Sequence, residues 1–215
     1  SHPNVDVRLF NPFVNRKLRL LGYVTDFNRL NRRMHNKSFT ADNQATIVGG
    51  RNVGDEYFGT GQGTLFADLD VAAFGRVVAE VSDAFDAYWN SDSAYPADLI
   101  LGKPAPDGIE QLEAKFASVR AAPEAMEYLE ELDRTRLAEQ LRARELPLDW
   151  APTRLVYDEP AKGLGRAQRS ELLLSRLVEA IGTPQREFDL ISPYFVPGER
   201  GTKALSAYAQ QGIAL

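Results

Sequence analysis

Hydrophobic positions recur along this chain with two different periods, and each period predicts a different kind of element. A three- and four-residue period, typical of a helix, occurs in residues 15–33, 76–90, 109–145, 169–182 and 202–212. The stretch 109–145 is predicted to hold two helices that separate near Ala122-Pro123, because proline cannot continue a helix. The helix over 76–90 is predicted to turn one apolar side inward, formed by Val77, Val81, Phe85, Tyr88 and Trp89.

Alternating patterns and short apolar runs predict strands between these helices, at residues 5–13, 37–41, 45–48, 64–75, 155–157 and 187–198. The second and third form a hairpin whose turn is Asp42-Asn43. On the strand predicted at 64–75, Phe66, Asp68 and Asp70 share one face. The stretch 91–108, rich in proline, glycine and serine, predicts a connection. Because helices and strands alternate, the predicted class is α/β, with a mixed sheet covered by helices.

The composition is typical of a globular protein and limits the available chemistry. Of 215 residues, 44% are apolar and 26% are charged. No window approaches the roughly 18 consecutive apolar residues of a membrane-spanning helix. The sequence has no cysteine, which excludes disulfides, thiolate metal ligands and a cysteine nucleophile. It has two histidines, which disfavours a histidine-rich metal site.

Charge is distributed unevenly along the chain. The net charge is −5, yet residues 1–37 carry eight arginines and lysines against two aspartates. A basic segment on an acidic protein indicates a local anion site, and the net acidity disfavours a surface that coats nucleic acid. A solvent-exposed helix face would carry the same local charge. Charge alone therefore does not distinguish an anion site from such a face, and the individual residues have to be considered.

One segment, HNKSFTADNQATIVGGRN at residues 35–52, concentrates residues that can hold and transfer a phosphoryl group. On a strand, His35 and Lys37 point to the same side because successive side chains alternate. The lysine can hold a phosphate oxygen as a point charge. The imidazole can attack phosphorus or deliver a proton near neutral pH. Together the two side chains predict a phosphate pocket.

The residues that follow extend this pattern. Gly49 and Gly50 allow the backbone to approach a ligand closely or to adopt a positive φ, and Asn52 offers amide donors. We expect Asp42 to stabilise the hairpin through hydrogen bonds, away from the phosphorus, because the chain turns there. A lone H-x-K pair is common by chance, but the added aspartate, glycine pair and asparagine at these spacings make chance a poor explanation.

The segment resembles the HxKxxxxD signature of the phospholipase D superfamily, with its trailing glycine pair and asparagine. Three stretches are similar to those of bacterial cardiolipin synthases, most like the cardiolipin synthase C type: RMHNKSFTADNQATIVGGRNVGDEYF, FADLDVAAFGRVVAEVSDAFDAYWNS and LISPYFVPGERG. The similar stretches run from about residue 5 to the C-terminus, and residues 105–165 are the least diagnostic part.

The resemblance implies a phosphatidyltransferase that makes cardiolipin through a phosphohistidine intermediate, without a metal or another cofactor. In the family, one motif's histidine forms that intermediate and the other's protonates the leaving alkoxide, and we assign His35 the nucleophile's role. Lys37 and Asn52 would bind the phosphoryl oxygens and stabilise transition-state charge. Asp42 would support the motif, and Glu56 would hydrogen-bond within the site.

Two departures from the family's pattern accompany the resemblance. Gly50 stands where many relatives carry serine, so a hydroxyl contact to phosphate is absent. The family's site joins two such motifs across two similar lobes, and this sequence has no second H-x-K. We therefore expect an incomplete phospholipase D-like fold and a fragment that is inactive alone. Its parts would be the later part of lobe one (1–104), a helical connection (105–165) and the opening of lobe two (166–215).

Other functions are suggested by individual features. Asp68 and Asp70 form a D-x-D pair that could bind a divalent metal, although a structural role is more common for a pair without a third ligand. Trp89 and Trp150 could stack on nucleic-acid bases, but Trp89 has helical core spacing. The helices of 109–145 could lie on a membrane, but their polar face is acidic. The remaining alternatives are another phosphodiesterase, either a phospholipase or a nuclease, and a non-catalytic phosphate-binding fragment.

The partners implied by the resemblance are phospholipids at a membrane surface. Phosphatidylglycerol is the expected substrate, and phosphatidylethanolamine is a second candidate. The protein is expected to be bacterial and peripheral on the inner membrane, and no nucleic-acid partner is expected. Sheet edges left open by missing strands favour a homodimer of the fragment.

Overall fold

The structure, a computed structural model, describes residues 3–13, 33–58, 66–168, 172–191 and 195–215. These residues form both helices and strands, which confirms the predicted α/β class. The strands are β1 (Arg8–Phe10), β2 (Ser38–Ala41), β3 (Ala45–Gly49), β4 (Asp70–Phe74) and β5 (Ala94–Pro96). The helices are α1 (Asp55–Phe58), α2 (Arg76–Trp89), α3 (Ala97–Leu101), α4 (Gly108–Arg120), α5 (Pro123–Asp133), α6 (Arg136–Ala143), α7 (Leu173–Ile181) and α8 (Gly198–Gln210). Of the helix predicted over 15–33, residues 15–32 lie outside the described residues.

The chain divides into two compact units. The first comprises Ser1–Arg51, Asp68–Leu101 and Thr153–Leu215, and the second comprises Asn52–Ala67 and Gly102–Pro152. The sequence analysis divided the chain at residues 104 and 165 into two partial lobes and a connection. That assignment to lobes stays a prediction.

A three-stranded antiparallel sheet in the order β2-β3-β4 forms the centre of the first unit. The register pairs Phe39 with Ile47 and Ile47 with Ala72, so these three side chains share one face. Helix α2 packs on the opposite face, against all three strands. Thr46 is only 2% exposed there, and its Oγ1 lies 2.8 Å from Oγ1 of Thr40.

Helix α2 supplies three of the five buried apolar side chains that the structure describes in this unit. Val78, Val81 and Ala84 are buried, which follows the three- and four-residue spacing of a helix that covers a sheet. The prediction that Phe85 points inward is wrong, since that side chain is 55% exposed and stacks on Trp89 with ring centroids 5.5 Å apart. The apolar stripe is therefore rotated toward Val78 and Ala84.

Strands β1 and β5 form a second, two-stranded antiparallel sheet in the same unit. The backbone N–H of Asn11 extends this pairing by donating to the carbonyl of Ser93 at 2.7 Å. Strand β5 and helix α3 lie within 91–108, where a connection was predicted. Their short lengths, three and five residues, explain why no period was visible in the sequence.

Three helices of the second unit follow one another with short breaks. Pro123 occupies the first turn of α5, as expected for a residue that can start but not continue a helix. Thr135 caps α6, because its hydroxyl oxygen accepts a hydrogen bond from the N–H of Ala138. The stretch 109–145 therefore holds three helices where two were predicted, and none of the residues in α4, α5 or α6 is buried.

Two predicted strands are absent from the described residues. Residues 155–157 have no strand pairing and lead into a 3₁₀ turn at Pro160–Lys162. At 187–198, where a buried strand was predicted, the described part forms a single parallel bridge between Glu187 and Ala214. The predicted strand 64–75 is shorter, with pairing that begins at Asp70. Apolar composition indicated these strands, but a strand also needs a paired neighbour.

Candidate functional site

The histidine and lysine of the motif lie just before the central hairpin. Residues 33–37 have no regular structure, and β2 begins at Ser38, one residue later than predicted. The N–H of Gly49 donates to the carbonyl of Lys37 over 3.5 Å, a long extension of the strand pairing. His35 is exposed, and the half-buried Lys37 donates from Nζ to the carbonyl of His35 at 2.7 Å. The sequence had suggested that strand alternation orients His35. Because His35 precedes β2, strand alternation by itself does not orient it.

The hairpin turn is located where it was predicted. Asp42 and Asn43 both have positive φ, 51° and 53°, and the N–H of Gln44 donates to the carbonyl of Ala41 at 2.9 Å. Asparagine and aspartate tolerate this left-handed region better than other side chains. The side-chain oxygen Oδ1 of Asn43 accepts a hydrogen bond from the hydroxyl of Ser82 in helix α2 at 2.7 Å, which fixes the turn against that helix.

The two glycines at the end of β3 face two carboxylates. A β-carbon on Gly50 would lie 2.5 Å from Oδ2 of Asp68, and one on Gly49 would overlap the carboxylate of Asp70. Asp70 also accepts a hydrogen bond from Nε of Arg51 at 2.7 Å. The glycine pair therefore provides the space that the two carboxylates occupy.

The sequence had suggested that Asp68 and Asp70 share one face of a strand, and this prediction is wrong. Asp70 begins β4, whereas Asp68 precedes the strand and accepts a hydrogen bond at Oδ1 from the N–H of Leu69. Its Oδ2 is buried without a hydrogen-bond partner in the described part of the chain. No group of three or more potential metal ligands occurs among the described residues.

Asn52 and Glu56 belong to the second unit, whereas His35 and Lys37 belong to the first. The side-chain amide of Asn52 donates to the hydroxyl of Tyr57 at 3.0 Å. Glu56 is exposed on the short helix α1. Their participation in one site with His35 therefore stays a prediction.

Tyr88 connects helix α2 to a later segment of the chain, whereas its sequence pattern had predicted a core residue only. Its hydroxyl donates to the carbonyl of Asp158 at 2.7 Å, and its ring packs on Phe10 with centroids 5.1 Å apart. Burial, and then the negative charges of Asp158 and Glu159, raise the pKa of Tyr88 to about 12. A hydrogen bond from the side chain of Asn36, which lies between His35 and Lys37, acts in the opposite direction.

The two tryptophans and the helices of 109–145 had each suggested another function. Trp89 is half-buried, with the guanidinium of Arg8 4.8 Å above its ring, whereas Trp150 is 84% exposed. None of the helices in the described ranges is both long and apolar enough to cross a bilayer.

Comparison with known proteins shows that the chain is similar to bacterial cardiolipin synthases, a class that the motif had predicted. It is 47% identical to cardiolipin synthase C of Escherichia coli (strain K12), over 100% of the chain and 45% of that protein. It is 27% identical to cardiolipin synthase A of Pseudomonas syringae pv. syringae, over 89% of the chain and 30% of that protein. It is 36% identical to cardiolipin synthase 1 of Staphylococcus aureus (strain COL), over 39% of the chain and 16% of that protein.

These similarities confirm the predicted relationship. The chain spans less than half the length of these relatives. No protein-family model matches the chain. No solved structure matches it either.

Proposed function

We propose that this chain supplies one half of the active site of a cardiolipin-forming phosphatidyltransferase, and that His35 is the nucleophile. The observation that carries the proposal is the complete H-x-K-x4-D motif, with its glycine pair and asparagine, in a chain 47% identical over its full length to a cardiolipin synthase C. The exposure of His35 supports it, since an attacking imidazole has to reach a lipid headgroup.

The proposed reaction has two displacement steps at phosphorus. A nitrogen of the His35 imidazole attacks the phosphorus of phosphatidylglycerol, a phosphorus–nitrogen bond forms, and the bond to the glycerol headgroup breaks. The leaving glycerol takes a proton from a second acid, for which the family uses another histidine. A hydroxyl of a second phosphatidylglycerol then gives its proton to that second histidine and attacks the same phosphorus, which breaks the phosphorus–nitrogen bond, frees His35 and yields cardiolipin.

Lys37 has an electrostatic role in this proposal. Its ammonium would bind a non-bridging phosphoryl oxygen as negative charge accumulates in each transition state. Its Nζ donates a hydrogen bond to the carbonyl of His35 over 2.7 Å, so it already lies beside the nucleophile's backbone.

Phosphatidylethanolamine carries an amine in place of the headgroup hydroxyls, so it would serve only as a donor of the phosphatidyl group.

The proposed association with the membrane is peripheral and transient. The substrate's phosphate lies at the bilayer surface, so the site has to reach that surface. The alternative enzymatic function, a nuclease or phospholipase of the same superfamily, would use the same phosphohistidine chemistry on another phosphodiester.

A graft tests the proposal directly. In cardiolipin synthase C of Escherichia coli, the segment that matches this chain is replaced by the chain itself, and conversion of phosphatidylglycerol vesicles into cardiolipin is measured. We expect the graft to be active and its His35→Ala variant to lose at least about a thousandfold, the range for removing a nucleophile. His2→Ala, the other histidine of the chain, is the matched control and should retain activity.

Two results of the graft experiment would count against the proposal. Full activity of the His35→Ala graft would exclude His35 as the nucleophile. Cleavage of DNA or release of phosphatidic acid, without cardiolipin, would favour the other phosphodiesterases of the superfamily.

A further inference from the structure

Arg51 and Asp70 form an ion pair at the end of the central sheet, and the proposed reaction does not use it. Nε of Arg51 lies 2.7 Å from Oδ2 of Asp70, and 30% and 29% of the two side chains stay exposed. The pair is therefore within reach of a ligand. Both residues belong to the first unit, as do His35 and Lys37, so the register of the sheet relates the pair to the motif.

Gly49 lies between Asp70 and Lys37 at this end of the sheet. It is opposite Asp70 in the register of β3 with β4. On its other side, its N–H donates to the carbonyl of Lys37 at 3.5 Å. Neighbouring strands are about 5 Å apart, so the backbones of Asp70 and Lys37 flank that of Gly49, each about one strand spacing away.

The missing side chain of Gly49 allows Asp70 to lean across β3. A β-carbon on Gly49 would overlap Oδ1 of Asp70, so the carboxylate occupies the space beside the glycine. It is therefore displaced from β4 toward the strand that Lys37 precedes. The ion pair brings the guanidinium of Arg51 along with it, so this guanidinium and the ammonium of Lys37 come from opposite sides to the same end of the sheet.

Two cations in this arrangement suit an anion that has several oxygens. An arginine presents five N–H donors in a planar fork, and the bond to Asp70 uses the one on Nε. A carboxylate on that edge fixes the plane of the guanidinium, and a fixed plane favours bidentate binding of a phosphate. Lys37 adds a point charge, which is less demanding in direction.

We propose that Arg51 binds the phosphodiester together with Lys37, and that Asp70 is the positioning residue for Arg51. The inference rests on the proposed function, because the phosphate held there would be that of the phosphatidyl group. It also gives Gly49 a role in the site, since a side chain at that position would push Asp70 away from its place beside Arg51.

The test measures anion binding by the whole chain and does not require turnover. The probes are inorganic phosphate and glycerophosphoglycerol, which is the headgroup of phosphatidylglycerol without its acyl chains. Arg51→Gln should weaken both Kd values by about tenfold or more, the usual effect of losing hydrogen bonds to a charged group. Arg51→Lys should recover only part of this loss, because lysine lacks the planar fork. Arg134→Gln, which removes an exposed arginine paired with Glu130, is the matched control and should bind as the wild type does.

Asp70→Asn separates positioning from simple charge. Removing a negative charge beside an anion site should tighten binding if only Coulomb attraction matters. Positioning predicts the opposite sign, a Kd weaker by about three- to tenfold, because the guanidinium loses the partner that orients it. Asp68→Asn removes the carboxylate beside Gly50 and is the comparison, which should bind phosphate as well as the wild type or more tightly. Adding Asp70→Asn to Arg51→Gln should cause no further loss.

Three results would overturn the proposal. The first is a wild-type Kd for glycerophosphoglycerol in a folded Arg51→Gln variant, even if inorganic phosphate binds less tightly. The second is tighter binding in Asp70→Asn. The third is no detectable binding of either probe by the wild-type chain at millimolar concentration. Should Asp70→Asn fail to fold, Arg51→Lys decides, because a wild-type Kd in that variant contradicts a requirement for an oriented guanidinium.

The outcome is distinguishable from that of the turnover experiment. If His35→Ala leaves the graft active but Arg51→Gln weakens binding of the headgroup, the proposed nucleophile fails and the role of Arg51 stands. If His35→Ala abolishes turnover and Arg51→Gln binds as the wild type does, the reverse holds.

Discussion

At the scale of single residues, Gly49 and Gly50 show how a small side chain shapes the candidate site. The space beside each α-carbon is occupied by a carboxylate, that of Asp70 or Asp68. Asp70 is also tied to Arg51, so moving it would break an ion pair, whereas Asp68 can move with fewer consequences. The two glycines should therefore differ in their tolerance of substitution.

Gly50→Ala should destabilise the chain by about 1–3 kcal/mol, the usual cost of inserting a methyl group into filled space. Gly49→Ala should cost more, because its β-carbon would also lie 3.0 Å from the α-carbon of Asp70. Urea unfolding measures both. Gly108→Ala is the matched control, since the nearest atom there is 3.9 Å away, and it should be neutral or slightly stabilising.

A double variant identifies the cause. If the Asp68 carboxylate is what Gly50 accommodates, Asp68→Ala combined with Gly50→Ala should recover part of the stability lost in Gly50→Ala alone. Strictly additive losses would show that the strain lies elsewhere.

Tyr88 makes a prediction about pH. Its pKa is raised by burial and by the nearby Asp158 and Glu159, from 10.0 to about 12, so the folded state holds the phenolic proton more tightly than the unfolded state. The resulting stabilisation is present below about pH 10 and is lost as the pH rises toward 12. The urea midpoint of the wild type should therefore fall more steeply across this range than that of Tyr88→Phe. Parallel curves for the two proteins would contradict the raised pKa.

At the scale of elements, the hairpin of β2 and β3 was the part of the fold most accessible from sequence. The Asp42-Asn43 turn was predicted because these residues accept positive φ, and both have it. The beginning of β2 was placed one residue early, since the apolar pattern does not record where hydrogen-bond pairing stops. The predictions of strands at 155–157 and 187–198 were wrong for a related reason. Burial and pairing depend on neighbouring elements, and a local sequence pattern does not contain them.

The turn gives a test of what Asp42 does. Asp42→Ala should destabilise the chain by about 1 kcal/mol, because an alanine with positive φ is strained. Asp42→Gly should retain nearly all the stability, since glycine adopts that backbone freely. Ala41→Gly, one residue earlier in β2, is the control and should lose about 0.5–1 kcal/mol. Equal losses in Asp42→Ala and Asp42→Gly would instead assign the contribution to the carboxylate.

At the scale of the whole molecule, the motif residues of the candidate site are visible in the sequence, but the contacts that support them are not. The spacing of His35, Lys37, Asp42 and the glycines is local, and so it is visible in one stretch. The hydrogen bond from Tyr88 to Asp158 joins residues 70 positions apart, and the carboxylates beside the glycines come from the start of β4 and the residues just before it. Such contacts depend on how α2 packs, which an apolar stripe specifies only to within a residue or two.

The most direct test of His35 as the nucleophile is to locate the covalent intermediate. The graft described above is mixed with phosphatidylglycerol, quenched rapidly in base, where phosphohistidine persists, and digested for mass spectrometry. If His35 is the nucleophile, a phosphatidyl adduct is expected on the peptide that contains His35, absent in His35→Ala and present in His2→Ala. An adduct confined to a histidine of the recipient protein, with cardiolipin formed normally, would contradict the nucleophile's role assigned to His35.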